Sequence, residues 1–85
     1  MRPSDAVVAR IQSLCQERRI TLNRLAHLSQ TPQSTLNEIF SRRTQNPGVA
    51  TLAKVCRGLG ISLRTFFDDP LFDEVDFVQD QGEKG

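Results

Sequence analysis

The sequence contains no Trp, no Tyr and a single His, and these scarcities limit the sites that it can build. A structural zinc site needs about four ligands, whereas Cys15 and Cys56 stand far apart in the chain with no His beside either. We therefore predict no metal and no cofactor, and interpret both cysteines as small core residues in a reducing compartment. Around the single His27 no Ser/His/Asp or Cys/His set can be assembled, and no Gly-rich phosphate loop is present, so we predict no enzyme.

Long apolar runs are also missing. No stretch approaches the ~18 apolar residues that a membrane-spanning helix needs, and the first residues lack the charged-then-apolar pattern of a signal segment. A length of 85 residues, with 38% apolar and 25% charged content, fits one small globular domain and not two. These features predict a cytoplasmic protein that does not enter a membrane.

The net charge of +1 conceals an uneven distribution along the chain. Residues 1–67 contain ten Lys or Arg and three Asp or Glu, a balance of +7. Residues 68–85 contain seven acids and one Lys, a balance of −6. A basic body favours a polyanionic partner, although the charges alone leave open a solvated distribution with no partner.

Apolar residues at helical spacing predict three helices in the first half of the chain. The first begins at a cap on Ser4, and the second, in TLNRLAHLS, begins at a cap on Thr21. Thr31 followed by Pro32 indicates the start of the third, because proline costs nothing in the first turn of a helix. We predict this third helix over about residues 32–41.

Two more helices are predicted after a basic loop, SRRTQNPG. One starts near Val49 and ends at Gly60, and a short one follows a cap on Ser62. The segment LFDEVDFVQDQGEKG shows no helical or strand period. We therefore predict a compact all-α domain of five helices over residues 1–69, and an acidic, partly disordered tail over residues 70–85.

The third predicted helix has an unusual set of polar side chains opposite its apolar stripe. A merely solvated helix face usually carries Lys and Glu pairs. Two short helices joined by a short turn form a helix-turn-helix, whose second helix can enter the major groove of DNA. Amides match the N6/N7 edge of adenine, a hydroxyl serves as donor or acceptor, and a carboxylate accepts from cytosine N4. The predicted base-reading residues are Gln33, Ser34, Asn37 and Glu38.

Residues suited to binding DNA phosphates flank this helix. Arg42, Arg43 and Thr44 follow it directly, and the start of the second helix near Thr21 offers free backbone N–H groups. Thr35 borders the buried stripe, where packing or a phosphate contact is expected rather than base reading.

From about Ile11 to Phe67, the chain resembles the Cro/C1-type (XRE family) helix-turn-helix domain of phage repressors and bacterial regulators. The resemblance lies in TLNRLAHLSQTPQSTLNEI, a short basic loop, and NPGVATLAKVCRGLGISLRTFF. It implies a lambda-repressor-like fold of five helices, binding to a specific double-stranded DNA sequence, and a homodimer on a palindromic operator. By position it also assigns base-reading and phosphate-binding residues. These are Gln33, Ser34 and Glu38 for bases, and Arg42, Arg43 and Thr44 for phosphates.

Three positions depart from the family pattern. Gln30 stands where the turn often has glycine, so a positive φ there would be strained. Leu22 stands where phage repressors commonly have a glutamine that contacts phosphate and braces the recognition helix, and that contact should be missing. Glu38 stands where many relatives have Arg or Gln, and an acid facing DNA weakens nonspecific affinity.

We interpret the chain as a sequence-specific DNA-binding transcriptional regulator that represses by occupying an operator. A different class of function stays open: a protein-interaction module on the same fold, such as an antitoxin or a regulator's partner that uses the acidic tail. Within the tail, DDPLFDEVDF mixes phenylalanines with acids. It is interpreted as a frayed end, as a segment that folds back or docks a protein, or as a competitor of DNA for the basic surface.

Overall fold

The computed structural model describes residues 2–41 and 47–75. Within those residues the chain forms five α-helices and one short 3-10 helix, with no strand. The α-helices are α1 (Pro3–Arg18), α2 (Leu22–Ser29), α3 (Gln33–Phe40), α4 (Val49–Leu59) and α5 (Leu63–Phe67), and the 3-10 helix is Pro70–Glu74. The predicted all-α class with five helices is confirmed.

The ends of several helices follow local signals in the sequence. The Thr21 hydroxyl accepts a hydrogen bond from the backbone N–H of Arg24 at 3.0 Å, and the Ser62 hydroxyl accepts one from Thr65 at 3.0 Å. Each bond satisfies a backbone donor that has no partner inside the helix. Gly60 ends α4 with a left-handed φ of 75°, a conformation that glycine adopts without strain. These three predicted boundaries are confirmed.

Two helix starts differ from the prediction, α1 by two residues and α3 by one. α1 begins at Pro3, so Ser4 already lies in the first turn instead of preceding it as a cap. α3 begins at Gln33, with Pro32 in place of Thr31 at the cap position. Pro32 has an extended backbone, with φ −56° and ψ 140°, and therefore stays outside the helix. α3 is consequently one residue shorter at each end than predicted.

A single apolar core joins all five α-helices. Each helix contributes at least one side chain with 0% exposure, and the largest of these are Ile11, Leu25, Leu36, Val55 and Phe66. Helices as short as α2, α3 and α5 are marginal on their own in water, so their stability comes from this shared burial. The core therefore also determines where the exposed face of each helix points.

Both cysteines lie in this core as free thiols. Cys15 is 8% exposed and Cys56 is 2% exposed, which confirms that they are small core residues. Burial raises the pKa of both thiols, while the guanidinium groups of Arg18 and Arg10 act in the opposite direction. Protonated, buried thiols are poor nucleophiles and poor metal ligands.

α2 and α4 approach most closely where Ser29 meets Gly58. A Cβ atom added to Gly58 would lie 2.8 Å from the backbone nitrogen of Ser29 and 2.9 Å from its Cα and Cβ atoms. Ser29 is 1% exposed, and its hydroxyl donates to the carbonyl oxygen of Leu25 at 2.7 Å. Only glycine at position 58 allows this contact, which holds the last residue of α2 against α4.

Arg10 is buried despite its charge, with 8% exposure. Its Nε donates to the Phe66 carbonyl at 2.7 Å, and its Nη2 donates to the Thr65 carbonyl at 3.0 Å. Its Nη1 donates to Oδ2 of Asp69 at 3.0 Å, while Oδ1 of Asp69 accepts from the backbone N–H of Leu71 at 2.8 Å. Arg10 thus connects α1 to the end of α5 and to the start of the 3-10 helix.

The 3-10 helix brings the beginning of the predicted tail back onto the body. The Phe72 ring lies 4.9 Å from the Phe67 ring and 5.9 Å from the Phe66 ring, measured between centroids. Phe72 is partly buried against the core. The sequence shows no period here because a five-residue 3-10 helix anchored by one aromatic side chain is too short to produce one.

The contact at Gly58 leads to the first testable prediction. Gly58→Ala should lower the free energy of unfolding by about 1–3 kcal/mol, because the new methyl group overpacks the backbone of α2. At an uncrowded helix position the same change would stabilise the protein by about 0.4–1 kcal/mol. Urea denaturation followed by circular dichroism measures the effect. Gly48→Ala serves as the control, since nothing lies within 4 Å of that position, and a stabilising Gly58→Ala would contradict the account.

A second prediction concerns Arg10. Arg10→Ala should lower the free energy of unfolding by about 2–4 kcal/mol in the same assay. The change removes charge-assisted hydrogen bonds to buried or partly buried carbonyls, and it leaves the Asp69 carboxylate without its cation. Arg10→Lys should restore only part of this loss, since an ammonium group lacks the planar fork of donors. Arg64→Ala, at an exposed position of α5, is the matched control and should change stability by less than about 0.5 kcal/mol.

Candidate nucleic-acid interface

A tight turn reverses the chain between α2 and α3. Gln30 has a left-handed backbone, with φ 54° and ψ 39°, and its N–H donates to the His27 carbonyl at 3.3 Å. The N–H of Thr31 donates to the Ala26 carbonyl at 3.0 Å. Thr31 is 5% exposed and is therefore part of the turn's packing. The turn satisfies the last carbonyls of α2 and directs α3 across it.

The apolar side of α3 faces the core and its polar side faces solvent, as predicted. Leu36 is 0% exposed and Ile39 is 3% exposed. The residues predicted to read bases all lie on the opposite side and are all exposed: Gln33, Ser34, Asn37 and Glu38. The structure thus brings all four together on one accessible surface, which we call the α3 polar face.

The α3 polar face is shallow and carries mostly neutral polar groups. Ser34, Asn37 and Glu38, together with Ser41 just after the helix, line an open depression. The Gln33 amide donates from Nε2 to Oδ1 of Asn37 at 3.5 Å. The Ser41 hydroxyl donates to the backbone carbonyl of Glu38 at 3.1 Å, at the C-terminal end of the helix. Hydrogen-bond donors and acceptors therefore line the length of α3.

A second open depression lies at the start of α2, lined by Thr21, Asn23, Arg24 and His27. The Thr21 hydroxyl accepts the capping hydrogen bond, so its own hydrogen remains available for a phosphate oxygen. The sequence reasoning named Thr21 but missed Asn23 and Arg24. For Arg24 the signal was its spacing of three residues from both Thr21 and His27, whereas no spacing singled out Asn23. His27 is exposed, as expected for a surface histidine.

The other predicted phosphate-binding residues differ in where they lie in the chain and in the fold. Thr35 is partly buried beside the α3 stripe. Arg42, Arg43 and Thr44 lie outside the residues that the structure describes. Leu22, at the position where phage repressors commonly have glutamine, packs partly buried against the core. It is thus an apolar packing residue and offers no polar group to DNA.

The charge available to a partner is smaller than the sequence count suggests. Arg10 lies inside the molecule and pairs with Asp69 at 3.0 Å. Arg18 donates from Nε to the Leu59 carbonyl at 3.1 Å and pairs with Glu17 at 3.7 Å. Both arginines therefore act within the fold. Arg24, by contrast, is exposed next to the Thr21 cap.

Two other kinds of site are absent from the described part of the chain. Residues 2–41 and 47–75 contain no group of three or more His, Cys, Asp or Glu side chains that could hold a metal ion. None of the helices in those ranges is both long enough and apolar enough to cross a bilayer.

A short helix, a tight turn and a second helix with a polar exposed face form a helix-turn-helix, an arrangement that many DNA-binding proteins use. Comparison with known families agrees, because residues 10–70 match the model of the Cro/C1-type HTH DNA-binding domain. The chain belongs to this family, and the resemblance drawn from its sequence is confirmed.

A solved structure supports the same assignment. It is described as the crystal structure of the prophage Lp1 protein 11, and it is 38% identical to this chain. The TM-score is 0.77, and the alignment covers 88% of this chain and 100% of that chain. Among curated proteins no match is found.

The turn gives a third prediction. Gln30→Gly should raise the free energy of unfolding by up to about 1 kcal/mol, because a left-handed backbone is costly for a residue with a Cβ atom and not for glycine. The matched control is Gln12→Gly, which changes an exposed glutamine within α1. This variant should have a free energy of unfolding about 1 kcal/mol lower than that of the unmodified protein. Thermal or urea unfolding measures whether each change raises or lowers the free energy of unfolding. Equal destabilisation by both changes would show that the positive φ carries no strain.

Proposed function

We propose that this DNA-binding regulator recognises one specific duplex sequence by inserting α3 into the major groove. The single observation that carries the proposal is the α3 polar face, which exposes two amides, a hydroxyl and a carboxylate over a buried apolar stripe. An α-helix with its side chains is roughly 10–12 Å across, which fits the ~12 Å width of the major groove, and at 1.5 Å per residue α3 is roughly 12 Å long. A helix of this size presents its whole polar face to a few base pairs.

The base-reading roles follow from hydrogen-bonding chemistry. Gln33 and Asn37 offer a donor and an acceptor on each amide, which suits the N6/N7 edge of adenine. Ser34 is able to donate or accept. Glu38 only accepts when ionised, which directs it to the N4 amino group of cytosine and away from acceptor-bearing edges. Its negative charge disfavours nearby phosphates and therefore reduces binding to unrelated sequences.

The phosphate contacts are proposed on both sides of α3. Thr21 contributes its free hydroxyl hydrogen at the start of α2, and Arg24 lies beside it. Thr35 borders the stripe on α3 itself. Arg42, Arg43 and Thr44 follow Ser41 directly in the sequence, and we assign them phosphate contacts after the end of α3. These contacts position the helix, whereas the α3 polar face supplies the specificity.

We further propose that the protein is a cytoplasmic repressor that binds as a homodimer to a palindromic operator. One α3 reads too few base pairs to distinguish a site within a genome. Two copies related by a two-fold axis read half-sites about one helical turn, or ~34 Å, apart. Occupying such an operator excludes polymerase, which is sufficient for repression without any catalytic step.

A second candidate function is a protein-interaction module that uses the C-terminal end of the domain. The observation that favours it is Phe67, which is 44% exposed although the centroid of its ring lies 4.9 Å from that of Phe72. The acidic residues Asp68 and Asp73 directly follow these two rings and are exposed. An exposed aromatic group with an acidic border suits a basic, apolar protein surface and not DNA.

Binding selection from a random pool of duplex DNA, followed by anisotropy titrations at two salt concentrations, tests the proposal. We expect one enriched motif. Gln33→Ala should weaken the free energy of DNA binding by about 1–3 kcal/mol, because it removes a base contact. The loss should depend mainly on the identity of one base pair in the site. Arg43→Ala should weaken binding to all sequences and reduce the salt slope by about 1, because it removes a phosphate contact.

The controls separate the two candidate functions. Gln12→Ala changes an exposed amide on α1 and should leave the DNA affinity unchanged. Phe67→Ser tests the C-terminal surface and should likewise leave the affinity for a half-site unchanged. Weak, purely salt-driven binding with no enriched motif would contradict sequence reading by α3 and direct the search to a protein partner.

A further inference from the structure

We propose that Arg19 binds a backbone phosphate of the DNA, next to the phosphate assigned to Thr21 and Arg24. The inference rests on the proposed function and adds to it a residue from the connection between α1 and α2. It starts from an unusual backbone conformation, since Arg19 has φ 55° and ψ 44°, in the left-handed region. Within residues 2–41 and 47–75, Arg19 and Gln30 are the two residues other than glycine that have a positive φ.

The left-handed backbone of Arg19 ends α1 without any help from its side chain. The N–H of Arg19 donates to the Gln16 carbonyl at 3.1 Å, and the N–H of Ile20 donates to the Cys15 carbonyl at 3.0 Å. Many helices end in this way, usually at a glycine, because glycine has no Cβ atom to crowd a left-handed backbone. Glycine at position 19 would make the same two hydrogen bonds with less strain. The helix end thus explains the backbone of Arg19 and not its side chain.

The side chain of Arg19 also contributes nothing to the packing of the domain. It is exposed, and among the described residues its guanidinium group has no hydrogen bond and no ion pair. Arg10 and Arg18, by contrast, donate to backbone carbonyls and act within the fold. Strained residues concentrate at functional sites, where a partner supplies the interaction that the fold does not. A left-handed arginine without a contact inside the domain therefore points to a partner outside it.

The position of Arg19 in the chain identifies the partner as the DNA backbone. Arg19 stands two residues before Thr21, which lines the depression at the start of α2 together with Arg24. Ile20 lies between them, partly buried against the core, and anchors the connection to the body. The Cα atoms of Arg19 and Thr21 therefore lie within ~7 Å of each other, the greatest span of two residues.

The spacing of DNA phosphates agrees with this placement. One strand carries a phosphate every ~3.4 Å along the helix axis. A strand held at Thr21 consequently brings a neighbouring phosphate close to the cation that precedes it. Arg19 does not line the depression itself, so we assign it the neighbouring phosphate and not the one held by Thr21 and Arg24.

Arg19→Gly tests the inference, because it should change stability and DNA binding in opposite directions. The Tm should rise, by up to about 4–8 °C, since the left-handed backbone loses its strain. The dissociation constant for the selected site should increase about 3- to 10-fold, and the salt slope should fall by about 1, since one phosphate contact is lost. A loss of affinity in a more stable variant is not a consequence of unfolding.

Three control variants separate the charge of Arg19 from its backbone. Gln30→Gly relieves the other left-handed residue without removing a charge, so it should raise the Tm and leave the salt slope unchanged. Arg64→Ala removes an exposed cation from α5 and should change neither quantity. Arg19→Lys keeps both the charge and the Cβ atom, so it should keep the salt slope and gain no stability.

Uncharged methylphosphonates, placed one at a time in the selected site, identify the phosphate. The phosphate that Arg19 binds is the one whose replacement weakens the unmodified protein and has no further effect on Arg19→Gly. It should be the neighbour, on the same strand, of the phosphate whose replacement has no further effect on Arg24→Ala. Two phosphates on different strands would contradict the assignment.

The outcomes distinguish this inference from the proposed function. If the unmodified protein enriches a motif and Arg19→Gly binds it with unchanged affinity and salt slope, the inference alone is overturned. An equal loss in Arg64→Ala overturns it as well, because the effect is then one of net charge. A less stable Arg19→Gly would show that the side chain supports the fold, which also contradicts the inference. If the unmodified protein enriches no motif, the proposed function fails and the inference fails with it.

Discussion

The position of α3 depends on the close approach of α2 to α4 at Ser29 and Gly58. Ser29 is the last residue of α2, and the turn to α3 follows immediately. Because a Cβ atom at Gly58 would lie within 2.9 Å of Ser29, the backbones of the two helices are in close contact at this point and leave no space for a side chain. The left-handed backbone of Gln30 then reverses the direction of the chain. Leu36, which is fully buried, packs α3 against the core. The direction of the α3 polar face is thus determined by packing that involves none of its own residues.

Arg10 performs a comparable task at the other end of the domain. It is a cation that the charge count assigns to the basic body, yet its donors serve the carbonyls of Thr65 and Phe66 and the carboxylate of Asp69. In doing so it holds the 3-10 helix and Phe72 against the body. Part of the acidic segment is therefore neutralised within the fold. The electrostatic argument for a polyanionic partner consequently rests on exposed cations such as Arg24, and less on the total of basic residues.

The sequence allowed the prediction of features that have local causes. Caps at Thr21 and Ser62, the stop at Gly60 and the two faces of α3 each depend on residues within about one turn, and each is found in the structure. The one-residue error at the start of α3 arose because proline is favoured in the first turn of a helix, whereas Pro32 has a ψ of 140° and lies just outside α3. The Gly58 contact and the Arg10 hydrogen bonds were missed, since they join residues far apart in the chain. Base reading by the α3 polar face follows from residue chemistry and stays a prediction.

Photochemical crosslinking from the major groove tests the central claim most directly. Thymines of the selected site are replaced one at a time by 5-iodouracil, whose iodine lies in the major groove, and the crosslinked peptides are mapped by mass spectrometry. The account predicts crosslinks within residues 33–41, at thymines next to the bases whose identity Gln33→Ala no longer distinguishes. Crosslinks confined to another helix, or a complex that forms none from any position in the groove, would contradict insertion of α3 into the major groove.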